Sequence, residues 1–371
     1  MTTPGPAHLS FALRTHARLR EAPRDGDLLW SPYSVAAALG LVTAGARGRT
    51  REELAGYLAP GAGPDDLLAR VRDAASLTGD GEGESGLAVA NTLWTRPGLP
   101  VEPAYEGLVR DVPGGALRTT DFTGDPGGAA AAINDDVAKT TRGLIRSIVD
   151  RGDVEGMDAV LVNALWVYLA WVDRFAVGAT KPLTFHTPDG DRRVPAMRAQ
   201  KRMAVAGVPG WRMVTLPGHG GLAMDVLLPE RPGALPSADE MTALYDAAGG
   251  RQVRLALPRF EVEYGAELAG VVAALGAPTV FTDRADLGGI SPVPLKVDRI
   301  LHKARLRADE AGVEGAAATA VMMVRTAAIT GAPVDFTVDR PFLAVVRHQA
   351  SGMIYFLAEI TSPADPGPAT S

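Results

Sequence analysis

An α+β fold is predicted from the order of the periodicities along the chain. Helical spacing of apolar residues dominates up to residue 142, and strand-like runs separated by turn signals dominate from residue 160 onward. The 371 residues are 46% hydrophobic and 22% charged, which allows one large core. No internal repeat appears, and length alone suggests two or three domains, although a large mixed fold can form one unit of this size.

The first helix is expected over 7–21, where Leu9, Ala12, Leu13 and Ala17 share a face. A very apolar second helix over 34–45 follows Ser31-Pro32, a candidate N-cap with proline at the first helical position. Thr50 and Glu53 have capping-box spacing at the head of a helix ending at Leu58. A fourth helix is expected near 64–77 and another over 127–142, stopped near Gly143. Leu87–Trp94 is strand-like. Val160–Val172, rich in β-branched and aromatic residues, reads as a buried strand.

From 183 to 263 strands alternate with turns, with hairpin signals at Pro188-Asp189-Gly190 and at Gly218–Gly221. Ala266–Leu275 reads as a helix stopped by Gly276, and Lys296–Ala308 as a strand. Phe342–Val346 and Met353–Ile360 are the last two strands, turned at Ser351-Gly352, before a Pro-rich tail from Pro363.

Most chemistry is missing from this sequence. With no cysteine there are no disulfides, thiolate nucleophiles or cysteine metal sites. His8, His16, His186, His219, His302 and His348 form no H-E-x-x-H and have no carboxylates at ligand spacing, so no metal is expected. His219-Gly220-Gly221 is a faint oxyanion-loop signal, but no G-x-S-x-G elbow accompanies it. GEGESG at 81–86 matches a dinucleotide fingerprint, yet a helix precedes it and a strand follows, the reverse of the required order. Asp65-Asp66 and Asp135-Asp136 lie in polar stretches without a pocket to shift them. No cofactor is expected and an enzyme is disfavoured.

The net charge of −6 and the scatter of basic residues, with only short pairs such as Arg192-Arg193 and Lys201-Arg202, argue against nucleic acid. No apolar run is long enough for a membrane span. The N-terminus shows no export signal, which leaves a cytoplasmic or a processed secreted form.

The smoothest stretch is Glu310–Val324, EAGVEGAAATAVMMV. Val313, Gly315, Ala317, Thr319, Val321 and Met323 would form one strand face, and Glu314, Ala316, Ala318, Ala320, Met322 and Val324 the other. Apart from Glu314 both faces are small or apolar, the pattern of a strand covered on both sides. Propensity alone favours an Ala-rich surface helix here, although the early glycines and Val313 weaken it.

Several segments form an ordered set. They include Leu29-Trp30-Ser31-Pro32-Tyr33-Ser34-Val35, Asn134-Asp135-x-Val137 with Thr141-x-Gly143-x-Ile145, and Leu161-Val162-Asn163-Ala164 followed by Trp171 and Phe175. Leu257-Pro258-x-Phe260, Leu275-Gly276, Ala285-Asp286, Ile290-Ser291, His302-Lys303-Ala304, Asp309-Glu310-x-Gly312, Asp339-Arg340-Pro341-Phe342-Leu343 and Pro363 continue it over nearly the whole chain. In this order and spacing they resemble the serpin family. Asp136 and Gly218 stand where aromatics are usual, and Ala358 where glycine is.

The resemblance implies a single domain over 1–371 with three β-sheets, eight or nine helices and an exposed reactive-centre loop over about 310–333, and a Pro-rich tail over 364–371. It implies a metastable, irreversible suicide-substrate inhibitor. A serine protease would be trapped as a covalent 1:1 complex when the cleaved loop inserts into the central sheet. The hinge would be Glu310, Gly312, Val313, Glu314, Gly315, Ala316, Ala317, Ala318 and Thr319. The polar cluster under the opening of the sheet, the shutter, would be Ser31, Ser34, Asn163 and His302, and Trp171 would mark the breach at its top.

Counting from Glu310 places the scissile bond at Thr326-Ala327, suiting elastase-, chymotrypsin- or subtilisin-like proteases. Arg325 would suit a trypsin-like one, and counting back from Pro341 points near Thr330. A non-inhibitory chaperone or carrier is the alternative, set against the small hinge residues. No heparin dependence is expected, because the segment near 64–77 balances Arg70 and Arg72 with Asp65, Asp66 and Asp73. A monomer is expected, and the resemblance is to a cysteine-free, prokaryotic inhibitory member.

Overall fold

The computed structural model describes residues 3–23, 26–60, 86–112, 114–313 and 332–368. Among these are eight α-helices: α1 (Pro6–Arg20), α2 (Pro32–Gly45), α3 (Gly48–Leu58), α4 (Pro103–Arg110), α5 (Pro126–Thr140), α6 (Arg151–Val154), α7 (Ala238–Ala247) and α8 (Ala269–Ala274). A six-stranded sheet contains β2 (Gly86–Thr95), β3 (Gly115–Thr119), β4 (Ala159–Ala170), β10 (Phe260–Glu267), β11 (Arg299–Ala308) and β12 (Gly312–Val313). Its order is β10-β11-β12-β4-β2-β3, with β11 and β4 also paired directly.

The other sheet has nine strands: β1 (Leu28–Trp30), β5 (Lys181–Thr187), β6 (Gly190–Val208), β7 (Trp211–Pro217), β8 (Leu222–Pro229), β9 (Gly249–Pro258), β13 (Val334–Thr337), β14 (Phe342–His348) and β15 (Ile354–Ile360). Two of the three expected sheets are continuous here through the 19-residue β6, which pairs with β5, β9 and β7 in turn.

β4 shows how the six-stranded sheet is covered on both faces. Leu161, Leu165, Val167 and Leu169 face the main core, whereas Val160, Val162 and Ala164 pack with Ile133 and Val137 of α5. α5 therefore lies on the outer face of the sheet. Asn134 ties the chain after it: its side-chain amide donates to Val149 O (2.9 Å), and its Oδ1 accepts from the Ile148 N–H (2.8 Å). α2 is buried all round, as its composition requires, and packs on β4, β2 and β15. Ser31 caps it as expected, its Oγ accepting the Ser34 N–H at 3.0 Å.

Three expectations are corrected. Thr50 is not an N-cap: α3 starts at Gly48, and Glu53 instead binds Arg49 and the backbone and hydroxyl of Thr279. The helix expected over 266–275 is shortened to α8, because Ala266 and Glu267 pair with His302 and Leu301 across β10–β11. The strand expected from Lys296 starts at Arg299. α4, β3 and α7 were not foreseen, although Ser237 and Glu240 form a capping box ahead of α7. The helix expected near 64–77 lies outside the described residues.

Candidate loop-insertion site

The centre of the six-stranded sheet is a seam. β4 and β11 are parallel neighbours from Arg299↔Val160 to Ala304↔Leu165. Above this ladder they part, and the two residues of β12 sit between them, antiparallel to both. Val313 faces Ala308 on one side and Leu169 on the other, and Gly312 faces Ala170. Only glycine fits at 312, where a Cβ would stand 2.1 Å from Leu169 O and 2.9 Å from Ala170 Cα.

The turn into β12 is fastened at the top of the seam. Trp171 Nε1 donates to Asp309 O (2.9 Å), and the Trp171 and Phe175 N–H groups donate to Ala311 O (3.1 Å) and Glu310 O (2.9 Å). The Glu310 carboxylate is buried, accepting from the Thr180 hydroxyl (2.6 Å) and lying 3.5 Å from the Arg259 guanidinium. The same guanidinium reaches Asp365 of the tail at 3.0 Å, and the tail bridges to the edge of β10 through the Glu261 N–H and Ala364 O. Buried carboxylates require partners of this kind.

Lower down, a polar row crosses three strands in register, His302↔Asn163 on β11–β4 and Asn163↔Asn91 on β4–β2. The Ser31 N–H donates to His302 Nε2 (3.1 Å). The imidazole proton therefore sits on Nδ1 and donates to Asn163 Oδ1 (2.8 Å). Asn163 Nδ2 donates to Ser34 O (2.8 Å) and Asn91 Oδ1 (2.6 Å). Burial lowers the His302 pKa to about 3, so the ring is neutral at pH 7. The His302–Asn163 bond of this row spans the seam.

The structure brings Ser31, Ser34, Asn163 and His302 together, with Ser34 joining through its carbonyl rather than its hydroxyl. It places Trp171, expected at the breach, beside the expected hinge residues Glu310, Gly312 and Val313 at the top of the seam. It missed Asn91, whose only signal is a lone amide in an apolar strand, and the Glu310 partners Thr180 and Arg259, which come from distant segments. Glu314, Gly315, Ala316, Ala317, Ala318, Thr319, Arg325, Thr326 and Ala327 lie outside the described residues.

A family profile described as Serpin (serine protease inhibitor) matches residues 6–363. The chain belongs to the serpin family. Serpin-Z1C of Triticum aestivum is 29% identical to this serpin, over 95% of its length and 94% of the wheat protein. The crystal structure of Serpin48, a highly specific serpin of the insect Tenebrio molitor, superposes with a TM-score of 0.85 at 26% identity, covering 97% of this chain and 98% of that one. Human thyroxine-binding globulin, solved in complex with thyroxine, has the same fold with a TM-score of 0.84 at 21% identity, covering 97% and 98%.

One departure of this serpin from the family pattern has a local explanation. Gly218 bridges to Trp171, and a Cβ there would lie 2.5 Å from the Leu169 side chain, which fills the space beside it.

Proposed function

We propose that this serpin is a monomeric, irreversible inhibitor of serine proteases that traps one protease per molecule. Its own residues supply no catalytic group. The protease serine attacks the Thr326 carbonyl, the bond to Ala327 breaks, and the new amine leaves with the proton from the serine. The cleaved hinge then zips down the seam from β12, carrying the ester-linked protease with it before water can deacylate it. Such loop insertion is the family's known behaviour.

The observation that carries this reading is β12, a two-residue start of the inserted strand already held between β4 and β11. About twelve further residues at roughly 3.3 Å each reach about 40 Å, and each backbone hydrogen bond gained contributes roughly 0.5–1.5 kcal/mol. A total on the order of 10 kcal/mol follows, so the intact form must be held by a barrier.

The small residues Gly315, Ala316, Ala317, Ala318 and Thr319 support inhibition over the carrier role that the thyroxine-binding globulin structure illustrates. The elastase- or subtilisin-like preference, with Arg325 as the trypsin-like alternative, rests on loop counting. The expected prokaryotic source finds no support in the relatives named above, which come from a plant, an insect and human.

The test is to mix the protein with elastase, subtilisin and trypsin. An SDS-stable complex with an equimolar endpoint is expected, and mass spectrometry of the released C-terminal fragment identifies the bond. Turnover to cleaved chain without a complex would defeat the proposal.

A further inference from the structure

We propose that the solvent face of β6, β9 and β13 is a docking surface for an acidic patch on the protease that attacks the loop. Arg198, Gln200 and Arg202 project from one face of β6 and are exposed. Across the ladder stand Arg254, opposite Gln200, and Gln252, opposite Arg202. On β13 Asp335 pairs with Arg254 at 2.7 Å, and the Arg212 guanidinium stacks 4.8 Å above the Phe336 ring while donating to Asp335 O. Three exposed arginines, Arg198 and Arg202 on β6 and Arg254 on β9, thus share this region with the Asp335 carboxylate, which Arg254 pairs, on a chain whose net charge is −6.

Arg198 and Arg202 make no ion pair among the described residues. Between Arg198, Gln200, Arg254 and Asp335 opens a cleft of about 260 Å³ floored by Ala199 and Ala256. It suits a carboxylate on a short apolar stem, since a guanidinium pairs with carboxylates through two parallel hydrogen bonds.

Position identifies the occupant. The chain re-enters the described fold at Ala332 and runs directly into β13, so this face begins where the loop ends. A protease engaged on residues 325–327 stands within a few residues of it. Unpaired surface charge next to a docking point acts mainly on encounter. It raises the association rate and is screened within about 10 Å at moderate salt. The proposal rests on the inhibitor reading only in requiring that a protease reach the loop.

The test compares native subtilisin with subtilisin succinylated on its lysines, which turns surface ammonium groups into carboxylates. The readout is the second-order rate of loop consumption, complex plus cleaved chain, normalised to hydrolysis of a small neutral peptide. At low salt the succinylated form should consume wild-type protein about tenfold faster than the native form. The ratio should collapse toward one at high salt, and in Arg198→Glu/Arg202→Glu. The milder Arg198→Gln/Arg202→Gln should fall between, with melting temperatures unchanged.

Equal ratios in wild type and both variants would overturn the proposal. Acceleration by heparin through the same arginines would also overturn it, because the partner would then be a polyanion. The division of product between complex and cleaved chain reports separately on inhibition, so either reading can fail without the other.

Discussion

Acidification should loosen the seam through His302. In the closed sheet its ring is neutral and buried, accepting from the Ser31 N–H and donating to Asn163, with a pKa near 3. Once β4 and β11 part, water reaches the ring and the ordinary value of about 6.5 returns. The open form then binds more protons, so the His302 contribution to closure is complete above pH 6.5 and is lost progressively as pH falls toward 3.

At pH 5 the difference is at most about 2 kcal/mol, on the order of thirtyfold in the opening equilibrium. The assay is uptake of a synthetic peptide copying residues 312–325 by the intact protein, followed by native gel between pH 7.5 and 5. Wild type should take up the peptide on the order of tenfold faster at pH 5. His302→Gln, which keeps an amide in the row, should show a flat profile. A flat profile in wild type, or an undiminished slope in His302→Gln, would refute the argument.

Four further outcomes are expected. Gly312→Ala forces a methyl against Leu169 O, so β12 should leave the seam at a cost of roughly 1–3 kcal/mol, seen as a lower melting temperature of the intact protein and a raised stoichiometry of inhibition. Ala317→Arg must bury a charge on insertion, costing roughly several kcal/mol. It should turn inhibitor into substrate, visible as cleaved chain in place of complex. Cleavage of the loop should raise the melting temperature well above that of the intact chain, and calorimetry before and after nicking checks it. Asp365→Asn leaves Arg259 to Glu310 alone. Because Asp365 is partly exposed, stability should change by only about 0–1 kcal/mol, while peptide uptake should quicken.

What was legible in the sequence follows the range of the forces concerned. Ser31 as a cap could be read locally, because its hydroxyl binds a backbone group three residues away. The apolar alternation of β4 announced a strand with two covered faces. Glu53 misled because its carboxylate has two uses, and the one that prevailed, binding Thr279, lies 226 residues away. Residues 266–267 look helical by composition, but the β10–β11 ladder claims them. The cluster of Ser31, Asn163 and His302 was found through ordered motifs rather than through chemistry. Asn91 belongs to no quoted motif, and Arg259 fills the unspecified position of Leu257-Pro258-x-Phe260, so neither role could be read from the motifs.

The seam also bears on how such a chain is made. Every residue of its ladder and of its polar row, from Ser31 through Asn91 and Asn163 to Ala304, precedes Gly312 in the sequence. β14 and β15, which complete the other sheet and pair β15 with β1, come after the loop. A chain growing from its N-terminus therefore has the fastening of β4 to β11 in hand before the strand that could prise them apart has emerged. On the proposed mechanism, the segment that would insert finds the seam already fastened while the remaining strands assemble. The uninserted form would then be chosen by timing, because the route to the inserted one is shut first.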